Sequence, residues 1–294
     1  MVTTLTNGTN VLGTHRRVAR RGLGHVRGTD PDRPYGGGVT TLDLPRSVVL
    51  ALWLAQDGVD RAAMARAVQV DDEPHTVRAT VDGSEHVDGP LSLLLDVCGP
   101  GQRDVAALVP APGDASGAPP AVSAAATTAG EALLVRSELA CVAAVPGVER
   151  FGSDLEPGHL VTWDVHGVAD WRTAVLGAAG SLSDAERALR QGLIDATEAL
   201  VRLDVARWRP DAAEQIAGLR DLDLPAWRLP DGIDGRRVRV LASAARLRGI
   251  VALATQDDGG AVNLWQADQR STALREVDRV ARRAMAAAAT SIGP

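Results

Sequence analysis

The pattern of apolar residues predicts an α+β protein dominated by helices. A small mixed sheet, with a hairpin near 148–168, is followed by an all-helical C-terminal third. Three observations carry this expectation. Val161, Trp163 and Val165 alternate with Thr162, Asp164 and His166, the period of a strand with one buried face. Val240, Ala244, Leu247, Val251 and Ala254 recur at helical spacing, and so does the longer series Leu264, Trp265, Ala267, Ser271, Leu274, Val277, Ala281, Ala284 and Met285. Between residues 75 and 136, short apolar runs alternate with clusters of Gly and Pro, as strands and loops do.

The elements follow in order. Pro45 suits the first turn of a helix running to about Gln56, because its missing N–H needs no partner there. Gly58 breaks that helix and Asp60 caps a second one to about Val68. His75 to Val81 reads as a strand, and Leu91 to Val97 is open between helix and strand. Asp104 to Val109 and Ala132 to Arg136 read as buried strands, with a Pro- and Gly-rich loop and an Ala-rich helix (Ala121 to Ala129) between them. Val148 to Phe151 and His159 to Val168 form the hairpin. Ser183 and Glu186 have the spacing of a capping box at the start of a helix that ends near Pro210. Asp211 and Glu214 share that offset and open a shorter helix. Asp234 caps a helix to about Gln256, Asp257 to Gly260 turn the chain, and a last helix runs from about Ala261 to Ala289. The expected organisation is a disordered basic arm (1–40), an α+β body (41–180) and a helical region (181–294) ending in a long antiparallel helix pair.

Composition excludes more than it identifies. The 294 residues include 31 basic ones, all of them Arg. Schiff-base and pyridoxal phosphate chemistry need an amine that can lose its proton, and the P-loop and protein-kinase sites use a Lys. Cys98 and Cys141 are too few for a disulfide framework and read as small buried hydrophobes. No apolar run approaches the ~20 residues of a membrane span, and no apolar stretch follows Arg16 and Arg17 as an export signal requires. A cytoplasmic location is the expectation, with no membrane contact and no cofactor. Charge is uneven, at net +4 over 1–40, −15 over 41–235 and +5 over 236–294.

Four constellations invite a chemical reading. Glu156, His159, Asp164 and His166 form the most metal-like cluster, since Asp164 and His166 share one strand face. His159 has the opposite parity, so ordinary surface polarity is the simpler account and no metal is favoured. Asp71, Asp72, Glu73, Pro74 and His75 gather carboxylates and an imidazole before a strand, where a cation or an acid–base pair could be held, but a solvated acidic turn, with Pro74 stopping the preceding helix, is the preferred reading. The segment 46–69 has the helix–turn–helix outline of a DNA reader. Its second helix offers only Arg61 and Arg66 from an acidic body, which disfavours nucleic acid as a partner. Arg275, Arg279, Arg282 and Arg283 lie together near the C-terminus, where they complement the helix dipole and offer a surface to an acidic partner.

The segments VPAPGD, VERFGSDLEPGHLVTWDV and LRGIVALATQDDGGAVNLWQADQR resemble an uncharacterised protein family of high-GC actinobacteria. The resemblance covers the chain after Leu44 and implies no activity, cofactor or binding residue. No complete catalytic motif is present, which leans the reading away from an enzyme. The expected function is a non-catalytic binding or assembly module acting through its C-terminal helices, on a protein partner or a second copy. The alternatives are a metal-dependent hydrolase-type enzyme centred on the 156–166 hairpin, and a nucleic-acid-associated protein using segment 46–69.

Overall fold

In a computed structural model, residues 41–81, 85–153, 156–202, 210–255 and 264–293 are described; the side chains of 81, 85, 199–202, 210–213 and 264–270 are left out of account. Two short helices come first, α1 (Arg46–Leu54) and α2 (Arg61–Gln69). Strands β1 (Thr76–Val81) and β2 (Glu85–Pro90), helix α3 (Leu93–Cys98) and strand β3 (Asp104–Leu108) follow. Helix α4 (Ser123–Ala129) leads into β4 (Ala132–Arg136), β5 (Cys141–Gly152) and β6 (Pro157–Gly167). The rest is helical: α5 (Arg172–Ala179), α6 (Leu182–Arg202), α7 (Pro210–Gly218), α8 (Gly235–Thr255) and α9 (Leu264–Ala289). The α+β class and the helical C-terminal part are as the sequence predicts. The expected basic arm (1–40) and the turn at 257–260 lie outside the described residues.

The six strands form one sheet in the order β2-β1-β6-β5-β4-β3. Every neighbouring pair is antiparallel except β1 and β6, whose parallel register sets Thr76 against Thr162 and Val77 against Trp163. Two features escape the sequence reading. Strand β2 is polar and is preceded in the sequence by Asp82, Gly83 and Ser84. The first hairpin strand begins at Cys141, because Pro146 masks its continuity. Proline is accommodated there since β4 pairs only with residues 141–144, leaving β5 unpartnered on that side at Pro146.

One sheet face packs against helices in the main core. Val77, Trp163, Leu133 and Ala107 lie in this core, where β3 meets α1 and α9, β4 meets α1, and α8 packs on α9 behind them. Helix α1 is buried from Ser47 through Leu54, as its nearly continuous apolar sequence demands. The second face is covered over only half its width. Ala106, Leu108, Leu134, Ala143 and Val145 form a smaller core with Val122 and Ala126 beside α4 and with Trp171 and Val175 of α5. The β6–β1–β2 half of that face carries Asp164, His166, Arg78 and Asp88 and is open to solvent.

Three long helices stack beside the sheet. An ion pair between Glu186 and Arg236 (2.8 Å) and the contact of Gly192 with Leu247 run α6 parallel to α8. Arg248 pairs with Asp278, and Arg237 donates to the carbonyls of Ala288 and Thr290 at 3.0 and 2.8 Å, so α9 runs antiparallel to α8. The expected stripe of Val240, Ala244, Leu247, Val251 and Ala254 is buried, as are Leu274, Val277, Ala281, Ala284 and Met285. Ser271 is exposed, and Trp265 lies outside the described side chains. The capping box is placed two residues earlier than expected. Ser181, after the left-handed Gly180 that ends α5, exchanges hydrogen bonds with Asp184, while Ser183 and Glu186 both accept from Arg236. Beyond α9, Ser291 pairs with Val105 in both directions at 2.8 Å, which covers the free edge of β3.

Leu133 is wholly buried, whereas Leu176 on α5 is half exposed. Leu133→Ala is expected to lower the unfolding free energy by ~2–5 kcal/mol in denaturant melts, and Leu176→Ala by no more than ~0.5 kcal/mol. Equal effects would contradict this assignment of the core.

Candidate functional site

The residues that gather polar chemistry come from four separate elements. Helix α2 ends at Gln69, and Val70 takes a left-handed φ of 52°, which a β-branched residue rarely adopts. That turn swings Asp72 back under α1. Its Oδ2 accepts from Arg46 Nε at 2.7 Å and from His75 Nε2 at 3.3 Å. Its Oδ1 lies 3.2 Å from His159 Nδ1. The Trp163 indole N–H donates to His75 Nδ1 at 3.2 Å. His75 Nδ1 is therefore the acceptor and its proton sits on Nε2, facing Asp72.

A second buried carboxylate continues the network. Glu131, just before β4, accepts the amide of Ser47 at 2.7 Å, and its other oxygen lies 4.0 Å from Arg46. Pro45 supplies no side-chain cap to α1, so a carboxylate from a distant strand does that work at the positive end of the helix dipole. Burial pushes the Asp72 carboxyl upward. The hydrogen bond from His75 and the Arg46 guanidinium outweigh that, and hold it below the usual carboxylate range.

Both nitrogens of His75 are engaged, so it orients its neighbours and has no valence left for a substrate. His159 uses Nδ1 on Asp72 and is partly exposed, which makes an Asp–His dyad able to hold or move a proton at Nε2. Among the described residues, no Ser, Thr or Cys hydrogen-bonds His159. Cys98 is remote chemistry: burial pushes its thiol up to about 11. Cys141 is half-buried with its Sγ on the carbonyl of Ala169, rather than buried as expected.

The hairpin cluster is divided by strand parity. Glu156 is exposed, and its amide N–H donates to the Ser153 hydroxyl oxygen. His159 turns under the sheet to Asp72, whereas Asp164 faces the other way toward Arg78 at 3.4 Å. His166 is exposed further along the Asp164 face. Among the described residues, no three His, Cys, Asp or Glu side chains are arranged to hold a metal ion. The parallel pairing of β1 with β6 instead joins His159 to the Asp72–His75 segment. Arg46, Glu131 and Trp163 complete that centre and were missed as members. The available signals were a lone acid opening an apolar strand and a Trp on the buried face beside a His.

The four C-terminal arginines separate as well. Arg275 is exposed and bonds to Ser271 and Thr272 of its own helix, and Arg279 pairs with Glu276. Arg282 is buried against Asp278, Asp114 and the carbonyl of Val109, which ties α9 to the body. Arg283 is half-buried. Beside them, α6 and α9 leave a groove of about 420 Å³. Its floor is Ala188, Gly192, Ala273, Val277 and Val280, and Asp195, Glu198 and Glu276 line it as well. In the helix–turn–helix-like segment α1 is buried throughout, and Arg61 is committed to Asp96 at 2.6 Å.

Asp72→Asn is expected to destabilise the protein by ~3–5 kcal/mol at pH 7, since it leaves Arg46 and both imidazoles without their anion. The folded-state pKa of Asp72 is depressed, so its contribution is complete above the unfolded value near ~4 and fades as pH falls below it. Urea melts should show the gap between wild type and variant narrowing below that pH; a constant gap would contradict this role.

Residues 47–177 match the family model described as "Rv1486c-like protein, N-terminal domain", and residues 183–286 match "Rv1486c-like protein, C-terminal domain". No curated protein and no solved structure matches the chain. With both domain models met in order along most of its length, the chain belongs to the Rv1486c-like family.

Proposed function

We propose that the chain is a non-catalytic binding or assembly module of the cytoplasm. Its C-terminal helices take up a basic amphipathic helix of a protein partner. The carrying observation is the groove between α6 and α9, whose floor is Ala188, Gly192, Ala273, Val277 and Val280; Leu193 and Ile194, each 52% exposed, extend the apolar surface of α6 outside it. Ala185, Leu189 and Ala196 of the same helix are buried. An apolar floor bordered by Asp195, Glu198 and Glu276 matches a helix with one apolar face and arginines or lysines beside it. In this reading residues 41–180 form the supporting body and 181–294 the binding region, a division supported by the break between the two family matches at 177–183. Arg275 and Arg279, on the exposed part of α9, contact acidic positions of the same partner helix. Among the described residues, no helix is long and apolar enough to cross a membrane.

A second reading, an acid–base enzyme, rests on the Asp72–His159 dyad. Binding of a designed Leu/Arg amphipathic peptide, followed by titration calorimetry, separates the two. Wild type is expected to bind it, and the charge-reversing double variant Asp195→Arg, Glu198→Arg to lose at least ~tenfold in affinity, with a stability change within ~0.5 kcal/mol per site. Light scattering run in parallel identifies a second copy as the occupant if wild type is dimeric and the variant monomeric. Unchanged peptide binding in the variant would overturn the proposal.

A further inference from the structure

A second concavity lies on the body, away from the helical groove. The α1–α2 turn faces the loop that follows α3, and the cleft between them measures about 550 Å³, within the ~300–1,000 Å³ range of small-ligand sites. Its walls combine Val59, Leu95 and Pro100 with two guanidinium groups, Arg61 and Arg103. The two are not equivalent. Arg61 grips Asp96 with both terminal nitrogens, at 2.6 and 3.1 Å, so its charge is matched. Arg103 donates to the carbonyl of Gly99 at 2.8 Å, and no carboxylate among the described residues pairs with it. Its Nε is shut off from solvent and has no hydrogen-bond partner. That nitrogen is closed to a ligand as it is to water, so what Arg103 offers the cleft is its charge.

We propose that this cleft binds a small organic carboxylate, held by Arg103 and packed through its apolar part on Val59, Leu95 and Pro100. Arg103 is a single cation in search of a single anion. Asp57 and Asp96 also line the cleft, so its formal charge is zero when Arg61 and Arg103 are counted. Arg61 is matched by Asp96, and Arg103 has only Asp57 in the cleft to offset it, so one carboxylate brings the cleft to −1, whereas a dianionic phosphate ester brings it to −2 beside the two aspartates. Gly99 and Gly101 hold left-handed φ values of 71° and 99°, which bend the loop so that Arg103 returns to the wall. The site is independent of the helical groove.

Titration calorimetry of the full chain with hexanoate, at fixed ionic strength, tests this. Binding near ~1 mM is expected, with hexylamine inert and inorganic phosphate at least ~tenfold weaker. Arg103→Gln should lower hexanoate affinity at least ~tenfold. Val59→Glu, which leaves Arg103 in place and sets a carboxylate across the cleft, should do the same, and it decides the matter if Arg103→Gln melts early. No heat at ~20 mM hexanoate, phosphate binding as tightly as hexanoate, or undiminished binding in Val59→Glu would overturn the proposal.

Discussion

A helix buried along its whole length cannot send its first amide groups to water, and α1 is such a helix. Ser47 through Leu54 are shut in between the sheet, α2 and α9. Pro45 removes one N–H and offers no side-chain oxygen. The Ser47 amide is met by Glu131, 84 residues away in sequence. That carboxylate is itself nearly inaccessible, so it is tolerable only because the helix dipole, an amide and Arg46 lie around it. Arg46 would be misplaced by the dipole alone at a helix start. Asp72 and Glu131 between them offset it.

From this junction the polar chain runs on through Asp72 to both imidazoles and ends at the Trp163 indole. It fastens α1, the end of α2, β1, β4 and β6 at one point. These elements come from widely separated parts of the sequence, which makes the network a determinant of register. A slip of β6 by one residue would carry Trp163 to the open face and leave His75 Nδ1 without its donor. The helical region is joined to the body by a different anchor, Arg282 on the Val109 carbonyl and Asp114, and by the Ser291 bridge to Val105. The polar centre therefore reads as bracing, with Arg46 and His159 as its most open members, and the exposed apolar residues of α6 as the part directed outward.

Local signals in the sequence were legible where a single element decides its own state. Period-two alternation placed Trp163 inward and Asp164 and His166 outward, and the α8 stripe was buried as spaced. Asp60 caps α2 with hydrogen bonds to Ala62 and Ala63. Strand β2 was illegible because its residues are polar and its order comes from pairing with β1. The capping box was shifted because Ser183 and Ser181 both precede an acid by three, and only the left-handed Gly180 selects between them. Residues of the polar centre were visible singly. Their convergence depends on the parallel pairing of β1 and β6 across more than 80 positions, which no local pattern encodes. The position of Arg282 was illegible for the same reason: Val109 and Asp114 hold it from the far half of the chain.

Equilibrium unfolding of Glu131→Ala against wild type and Glu131→Gln tests this dependence most directly. A loss of ~3–5 kcal/mol is expected for Glu131→Ala at neutral pH, with Glu131→Gln recovering part of it by keeping an acceptor for the Ser47 amide. A change below ~0.5 kcal/mol for Glu131→Ala would contradict it, because α1 would then be held in place without its remote cap.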